Sequence, residues 1–461
     1  MARTADVVIC GAGIAGIAAA HSLSVQHGLR RVVLVDEREP LSLTSDKSTE
    51  AYRNWWPGPD DAMIEFMNRS IDLLEQHAES SGNRFLMNRR GYCYATADVT
   101  KAEQFLCDGT LAQEQGAGPL RVYRSEVEAS AYQRSAHTGY ERHPTGADLF
   151  LDHASIRAHF SWLAEDIVAV LHARRCGWFS GQQLGMQLLE GAKAAGTEVV
   201  RGRVESVDAR GGIQSVTIAT DGGTSTTCST GVFVNCAGPF AMETGRLIDV
   251  DVPVFSELHL KVAMEDRFRV VDRDAGLMIL DDAQTLPWSD DERAELAGSA
   301  ETRWMTAAMP PGIHLRPEGY HGANTVLMLW DYHSAHRYDE AAFPLPEDPF
   351  YPELVIRGLT RLAPALQRYL EPLPHCYIDG GYYTKTVENR PLIGPLPVRG
   401  AYINAAFSGY GLMAAPAAGE LLAAHITAST LPPYGSAFLP DRYESAAYQA
   451  RLASWGSGGQ L

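Results

Sequence analysis

The sequence predicts two interleaved units. One is an α/β unit, Rossmann-like in layout, and the other is an α+β unit built on a mostly antiparallel sheet. Three observations predict this. An apolar run, a glycine-rich turn and a helix-like apolar run open the chain at residues 7–23. A strand, a glycine turn and an apolar helix of the same kind return at 401–427. Between them, residues 252–379 change character to aromatics, prolines and short alternating strands such as 325–330. A unit interrupted by its neighbour accounts for glycine turns at both ends of the chain. The expected division is 1–95, 150–250 and 380–461 for the first unit, and 96–149 and 251–379 for the second.

The opening segment, VVICGAGIAGIAAAHSL at 7–23, is followed by RVVLVDERE at 31–39. It sets Gly11, Gly13 and Gly16 in GxGxxG spacing between a predicted strand and a predicted helix with Ile14, Ile17 and Ala18 on one side. Such a turn presents backbone N–H groups and a helix N-terminus to a pyrophosphate. Gly11 permits the tight turn, Gly13 lets phosphate approach the backbone, and Gly16 lets the helix pack on the sheet. Asp36 ends the second apolar run, where a carboxylate accepts hydrogen bonds from ribose hydroxyls. The expected ligand is a dinucleotide.

Further along, 40–59 reads as a polar loop. A helix is predicted over 60–80, where Met63, Phe66, Met67, Ile71 and Leu74 recur at helical spacing. Residues 82–147 show no single pattern; strands are expected near 85–94 and an irregular insertion near 130–146. Short helical pieces are expected over 152–166. A helix leading into a strand is expected over 177–207, with Leu184, Leu188, Leu189 and Ala192 on its apolar face. A hairpin with turns near Gly211 and Gly222 follows, then a buried strand running into a glycine turn at 231–239. At the C-terminal end a strand over 401–405 leads through a glycine turn to a helix starting near Leu412.

Composition bounds the function. The chain has 461 residues, 45% of them hydrophobic, enough for a large core in two or three domains. A net charge of −17 argues against nucleic acid or an anionic membrane as partner. The seven cysteines are scattered and never form a CxxC pair, which fits reduced thiols rather than a disulfide frame or a zinc site. No metal is expected. No apolar run reaches the roughly 18 residues of a membrane span, and no leader-like segment is seen, so the expected location is cytoplasmic.

Three separated segments together resemble the D-amino acid oxidase-like family of flavoproteins, with its sarcosine oxidase, glycine oxidase and dimethylglycine dehydrogenase groups. The first is the glycine turn just described. The second is VNCAGP at 234–239, similar to the family's "VNAAGPW". The third is YYTKTVENRPLIGPLP at 382–397 with AYINAAFSGYGLMAAPAAGELLA at 401–423, similar to "YxxTPDxxPxIGP" and "GFSGHGFxxAPAxGxxxA". The resemblance implies FAD rather than NAD. It implies cofactor contacts from Gly11, Gly13, Ile14, Ala15 and Gly16, from Asp36 and Glu37, and from Ser45, Lys47 and Ser48. Further contacts are implied from Val204, Ala237 and Gly238, and from the turn and helix start Ser408, Gly409, Tyr410, Gly411, Leu412 and Met413. That last turn can bring positive potential to the flavin edge where charge builds on reduction. Lys47, Arg53, His259, Tyr383 and Tyr410 are implied to lie near the flavin or substrate. Trp55 and Trp56 read equally as an aromatic wall over the substrate or as core anchors.

Departures from the family pattern are informative. Where sarcosine oxidases carry a flavin-linking cysteine this chain has Gly381, and 44–56 holds no histidine, so FAD is expected to be non-covalent. Lysine and arginine anchors for a substrate carboxylate are replaced by Met413 and Gly409, leaving Arg53 or Arg316 to supply one. In LMLWDYH at 327–333, Met328 takes the place of a lysine that sarcosine oxidases set over the flavin, which favours a dehydrogenase or activation by another cation such as Lys47.

The expected function is oxidation of a C–N bond in an amine or N-substituted amino acid, by hydride transfer to flavin N5 and hydrolysis of the imine. Oxygen or an electron-carrier protein is the expected acceptor. The alternatives are 2-hydroxy acid oxidation, an unusual flavin oxidation in secondary metabolism, and a non-catalytic FAD-binding subunit of a larger complex.

Overall fold

Two nine-stranded sheets organise the chain in a computed structural model. It describes residues 3–220, 223–319, 323–333 and 336–455. The turn expected at Gly222 lies outside the described residues.

The first sheet is centred on Val32–Asp36, Val7–Cys10, Phe233–Asn235 and Ala401–Ala405, which pair in parallel in that order. Glu198–Asp208 extends it beside Val32–Asp36, and Ser215–Thr220 and Thr224–Ser229 continue it as an antiparallel hairpin. The central strands are buried on both faces, which is why they read as unbroken apolar runs. Val7, Ile9 and Leu34 face a helical layer, while Val8, Val33 and Val35 face a second core with Val200, Phe233 and Ile403. The helical layer holds Ile14–His21, Ala62–Ser81, Gly181–Ala194 and Gly411–Thr427. The opening and closing helices touch backbone to backbone: a Cβ on Gly419 would stand 2.5 Å from the Ala18 carbonyl oxygen. The C-terminal segment therefore returns to the sheet that the N-terminal segment begins.

The second sheet runs in the order Tyr377–Lys385, Phe255–Glu265, Thr325–Leu329, Ile313–Glu318, Leu277–Leu280, Tyr92–Thr96, Ala169–Ala173, Ala147–Phe150 and Leu120–Tyr123. It is antiparallel except where Leu277–Leu280 pairs Tyr92–Thr96 and where Leu120–Tyr123 pairs Ala147–Phe150. Sheet membership departs from the expected boundaries. Tyr92–Thr96, Ala169–Ala173 and Tyr377–Lys385 fall mostly in segments assigned to the first unit, yet they belong to this sheet. One face packs on Tyr351–Leu359 through Leu258, Leu260, Val262, Met328 and Trp330. Strand alternation then turns Glu257, His259 and Lys261 to the other face, toward the first unit.

Three further local expectations need correction. Residues 40–59 hold more regular structure than the polar loop expected there. They form a helical turn at Thr44–Lys47 and a strand at Ala51–Arg53 that pairs with Cys176–Trp178. Within 82–147 a helix spans Val99–Glu114, begun by Asp98 accepting the Thr100 N–H. Its buried residues are Ala102, Phe105, Gly109 and Ala112, mostly small, while Val99 and Leu111 are exposed, so no apolar stripe marks it. Residues 85–90 form no strand; pairing begins at Tyr92.

Gly419→Ala should destabilise the protein by about 1–3 kcal/mol, the usual cost of overpacking against a neighbour that cannot yield. Denaturant unfolding followed by circular dichroism measures it. An unchanged midpoint would show that the two helices separate freely.

Candidate active site

A cavity of about 700 Å³ runs between the carboxyl ends of the central parallel strands and the second sheet. This is the crevice where open α/β sheets bind ligands. At one end lies the glycine turn. Gly11 has φ +108°, and a Cβ there would stand 2.3 Å from the Cys236 carbonyl oxygen. A Cβ on Gly16 would stand 1.9 Å from the Gly11 carbonyl oxygen, so Gly16 packs beneath the turn instead of lining the cavity. Neither position accepts any side chain. The Ile14 N–H at the helix start donates to Ser45 Oγ at 3.0 Å, a donor of the kind an incoming phosphate takes. Asp36 accepts from the Ala12 N–H at 2.7 Å and the Arg38 N–H at 2.9 Å. Burial pushes its carboxyl above the ordinary value, and those two N–H groups oppose the rise. Each carboxylate oxygen keeps a lone pair for a further donor.

The wall between the ends includes Glu37, Ser48, Val204, Ala237 and Gly238. Cys10 and Cys236 also face it, and burial pushes the Cys10 thiol up to about 12, so it stays protonated. The far end is the turn at 406–411. Ala406 and Ser408 hold φ of +63° and +50°, a conformation that side chains rarely adopt. Ser408, Gly409, Gly411 and Leu412 line the cavity, as does Tyr383 from the second sheet. A Cβ on Gly409 would stand 2.4 Å from the Tyr383 ring, which explains why no arginine occupies this position. The described residues thus fit a dinucleotide. One end offers a Cβ-free phosphate turn and a carboxylate, and the other offers the N-terminus of Gly411–Thr427.

Arg38, Arg203, Phe240, Thr244 and Asn404 also line the cavity and were not anticipated. Arg38 follows a strand end, Arg203 lies within Glu198–Asp208, Phe240 and Thr244 lie in helical turns, and Asn404 falls inside the segment 401–423; the rule that ligands sit at the carboxyl ends of parallel strands points to their neighbourhood.

Other expected residues lie outside the cavity lining. Lys47 is paired with Asp46 at 2.7 Å and Asp379 at 3.1 Å, which hold its ammonium protonated despite partial burial. Tyr410 is buried, donates to the Asn389 carbonyl at 2.8 Å, and meets Trp56 edge to face. Met413 lies in the helix, where its carbonyl accepts from Ser70 Oγ at 2.5 Å and its sulfur faces the Arg53 N–H at 3.4 Å. Trp55 and Trp56 are core anchors. Met328 points into the core on the far side of the second sheet, so it cannot stand in for a cation over the cavity; Leu327 and Leu329 occupy the near face. Gly381 has room for a Cβ, at 3.4 Å from Lys47 Cβ and Thr44 Cα.

Arg53 and His259 sit deeper. The Arg53 guanidinium is buried over the Trp56 ring at 4.2 Å and donates to Tyr94 Oη at 3.1 Å. The His259 ring stacks on Tyr383, centroids 3.8 Å apart at 17°. Its Nε2 is 3.4 Å from Glu257 and 3.6 Å from Asp331. These three side chains could gather around a cation, but the Lys385 ammonium already binds Glu257 at 2.8 Å, so we assign no ion there. Burial raises the Glu257 carboxyl, but hydrogen bonds from His259 and Lys385 outweigh it and hold the group below the ordinary range.

Segment 44–50 ties the two units together across the cavity. Thr44 Oγ1 donates to the Tyr382 carbonyl at 2.9 Å, Lys261 Nζ to the Ser48 carbonyl at 3.0 Å, and Arg316 to the Thr49 carbonyl at 2.9 Å. Arg316 is committed to this tie and to Glu318 and lies outside the cavity lining.

Gly11→Ala should abolish cofactor retention, because the added carbon clashes with backbone rather than with a movable side chain. Purified variant should carry less than about a tenth of the wild-type flavin absorbance at 450 nm. Equal absorbance would show that the turn relaxes.

A protein-family model described as DAO, FAD dependent oxidoreductase, matches residues 6–425. No curated protein matches the chain in sequence. Among solved structures, the chain is similar to L-proline dehydrogenase from P. horikoshii, at 19% identity and TM-score 0.71, covering 96% of this chain and 99% of that one. It is similar to iminodiacetate oxidase from Chelativorans sp. BNC1, at 16% identity and TM-score 0.67, covering 94% and 98%. It is also similar to L-α-glycerophosphate oxidase from Mycoplasma pneumoniae with FAD bound, at 14% identity and TM-score 0.66, covering 94% and 97%. The structural likenesses speak for the fold. The family match, spanning nearly the whole chain and agreeing with a cavity shaped for a dinucleotide, shows that this protein belongs to the DAO family of FAD-dependent oxidoreductases.

Proposed function

We propose that the protein oxidises a C–N bond in an amine or N-substituted amino acid. The observation that carries this reading is a cofactor cavity whose far end is shared between the 406–411 turn and Tyr383, below the polar face of an antiparallel sheet. FAD bound there supplies a two-electron acceptor for a hydride from the substrate carbon. The protein's part is to hold, desolvate and orient the amine. Tyr383 from the sheet and Ser408–Leu412 from the turn would frame the reacting end. Arg53, buried against Trp56 and outside the cavity lining, would have to turn toward the cavity to bind a substrate carboxylate, for which its planar guanidinium is suited. Water then hydrolyses the imine. The names of similar structures support the substrate class: proline, glycine, iminodiacetate and L-amino acids. The glycerophosphate oxidase favours a second reading, oxidation of a C–O bond.

The electron acceptor after the flavin is oxygen or a carrier protein. FAD is held without a covalent link: Gly381 offers no nucleophile, and the cavity thiols of Cys10 and Cys236 are raised by burial. Acid denaturation should release all yellow cofactor into the supernatant; flavin remaining on the precipitated chain would contradict this.

Anaerobic mixing with a panel of amines, amino acids and 2-hydroxy acids should bleach the flavin band with the first two classes only. Bleaching by hydroxy acids alone would favour the second reading, and recovery within seconds of admitting air would identify an oxidase. Arg53→Met should raise KM for a carboxylate-bearing amine by about tenfold or more, as expected for loss of a charge-assisted pair. It should leave an amine without a carboxylate nearly unaffected; equal losses on both would remove Arg53 from substrate binding.

A further inference from the structure

The chain takes residues 330–350 to pass from the strand Thr325–Leu329 to the helix Tyr351–Leu359. Long connections of this kind are usually functional. Part of this one, 337–343, crosses from the second unit to the rim of the cofactor cavity. Its root is on the second sheet. Tyr338 exchanges two backbone hydrogen bonds with Ser256, at 2.8 and 2.9 Å, and the Arg337 guanidinium covers the Phe255 ring. Tyr382 Oη donates to the Ala342 carbonyl at 3.2 Å. Its tip reaches the first unit. The Phe343 ring meets Phe240, centroids 6.1 Å apart, and the Arg38 guanidinium stands over it at 5.7 Å. Phe240 and Arg38 line the cavity, whereas Phe343 lies outside that lining and is 38% exposed. Glu340 faces Arg246 at 3.7 Å, both side chains exposed.

We infer that segment 337–343 is a clasp over the cofactor cavity, and that FAD enters and leaves past Phe343. The other walls are harder to move. The strand ends and the glycine turn meet backbone to backbone at Gly11 and Gly16. Segment 44–50 is hydrogen-bonded to the second sheet at three points. Among the described residues, the tip of the clasp is held to the first unit by ring contacts and one exposed ion pair. An exposed pair adds little, and the ring contacts carry no hydrogen bond that must break before the tip lifts. A cation over a ring at an exposed site is also a modest tie. The wall that yields at least cost is the one through which a long ligand exchanges. Lifting the tip leaves the fold intact, because the root stays paired with Ser256. The Phe343 ring therefore governs how fast the cofactor exchanges, while the glycine turn and Asp36 govern how it is held.

The test is the rate of FAD exchange. Release is followed by diluting purified holoenzyme and reading protein-bound flavin absorbance after rapid gel filtration. Uptake is followed by mixing apoprotein with FAD and recording the quenching of tryptophan fluorescence. Phe343→Ala should release FAD about tenfold faster, the usual worth of an aromatic contact together with a cation over the ring. It should take FAD up at least as fast as wild type. Phe343→Tyr keeps the ring and should release at the wild-type rate. Phe350→Ala, at a similarly exposed position on the same connection, should also match wild type. Release from Phe343→Ala at the wild-type rate, or equal acceleration in Phe343→Ala and Phe350→Ala, overturns the clasp. So does slower uptake by the Phe343→Ala apoprotein, which would make Phe343 part of the built site and not its gate. These outcomes are independent of the substrate, so the clasp and the proposed amine oxidation stand or fall separately.

Discussion

The structure depends on close backbone approach at the carboxyl ends of the parallel strands. Gly11, Gly16 and the Cys236 carbonyl meet where no side-chain carbon fits, and Gly419 lets the C-terminal helix lie against Ala18. These contacts set the helix N-terminus, the glycine turn and the returning helix at fixed positions around one crevice. A shift of an ångström at any of them would move phosphate donors, turn and flavin edge together. Glycine is uneconomical in a helix interior, where it costs about 1 kcal/mol relative to alanine. Gly16 and Gly419 are retained because packing leaves no alternative.

The first unit was legible in the sequence because its signals are local. A strand, a Cβ-free turn, a helix and a terminal carboxylate follow one another within 30 residues, and each leaves its own residue type. The second unit was harder. Its strands are brought together from residues 92 to 385, and sheet membership is decided by long-range pairing that no short window contains. The helix at Val99–Glu114 escaped notice because it buries small residues. Lys47 reads as a phosphate or flavin ligand by position, but its chain neighbour Asp46 and Asp379 of the second sheet both pair with it. Motif register sets Met328 on the cavity side, and the alternation of its strand turns it to the other core. Gly11, Gly13, Asp36, Ser45, Ser48, Gly409, Gly411 and Tyr383 do line the cavity.

The face of the second sheet toward the cavity is unusually charged for a buried surface. Glu257 with Lys385, Lys47 with Asp46 and Asp379, and Arg316 with Glu318 form pairs that neutralise one another locally. Such pairs add little net stability once desolvation is counted, but breaking one leaves a costly unpaired charge. Their effect is to fix side-chain positions around the cofactor cavity. Tyr383 links this network to the first unit, touching Gly409 on one side and His259 on the other.

Segment 44–50 gives the cofactor a mechanical role. It lines the cavity through Ser45 and Ser48 while its neighbours are bonded to Tyr382, Lys261 and Arg316 of the second sheet. A ligand filling the cavity therefore touches both units and the strap between them. Its binding energy is shared by the whole molecule, so a ligand that binds only the folded chain stabilises it by RT ln(1 + [L]/Kd). Losing that ligand would then lower the stability of both units together, not of one alone.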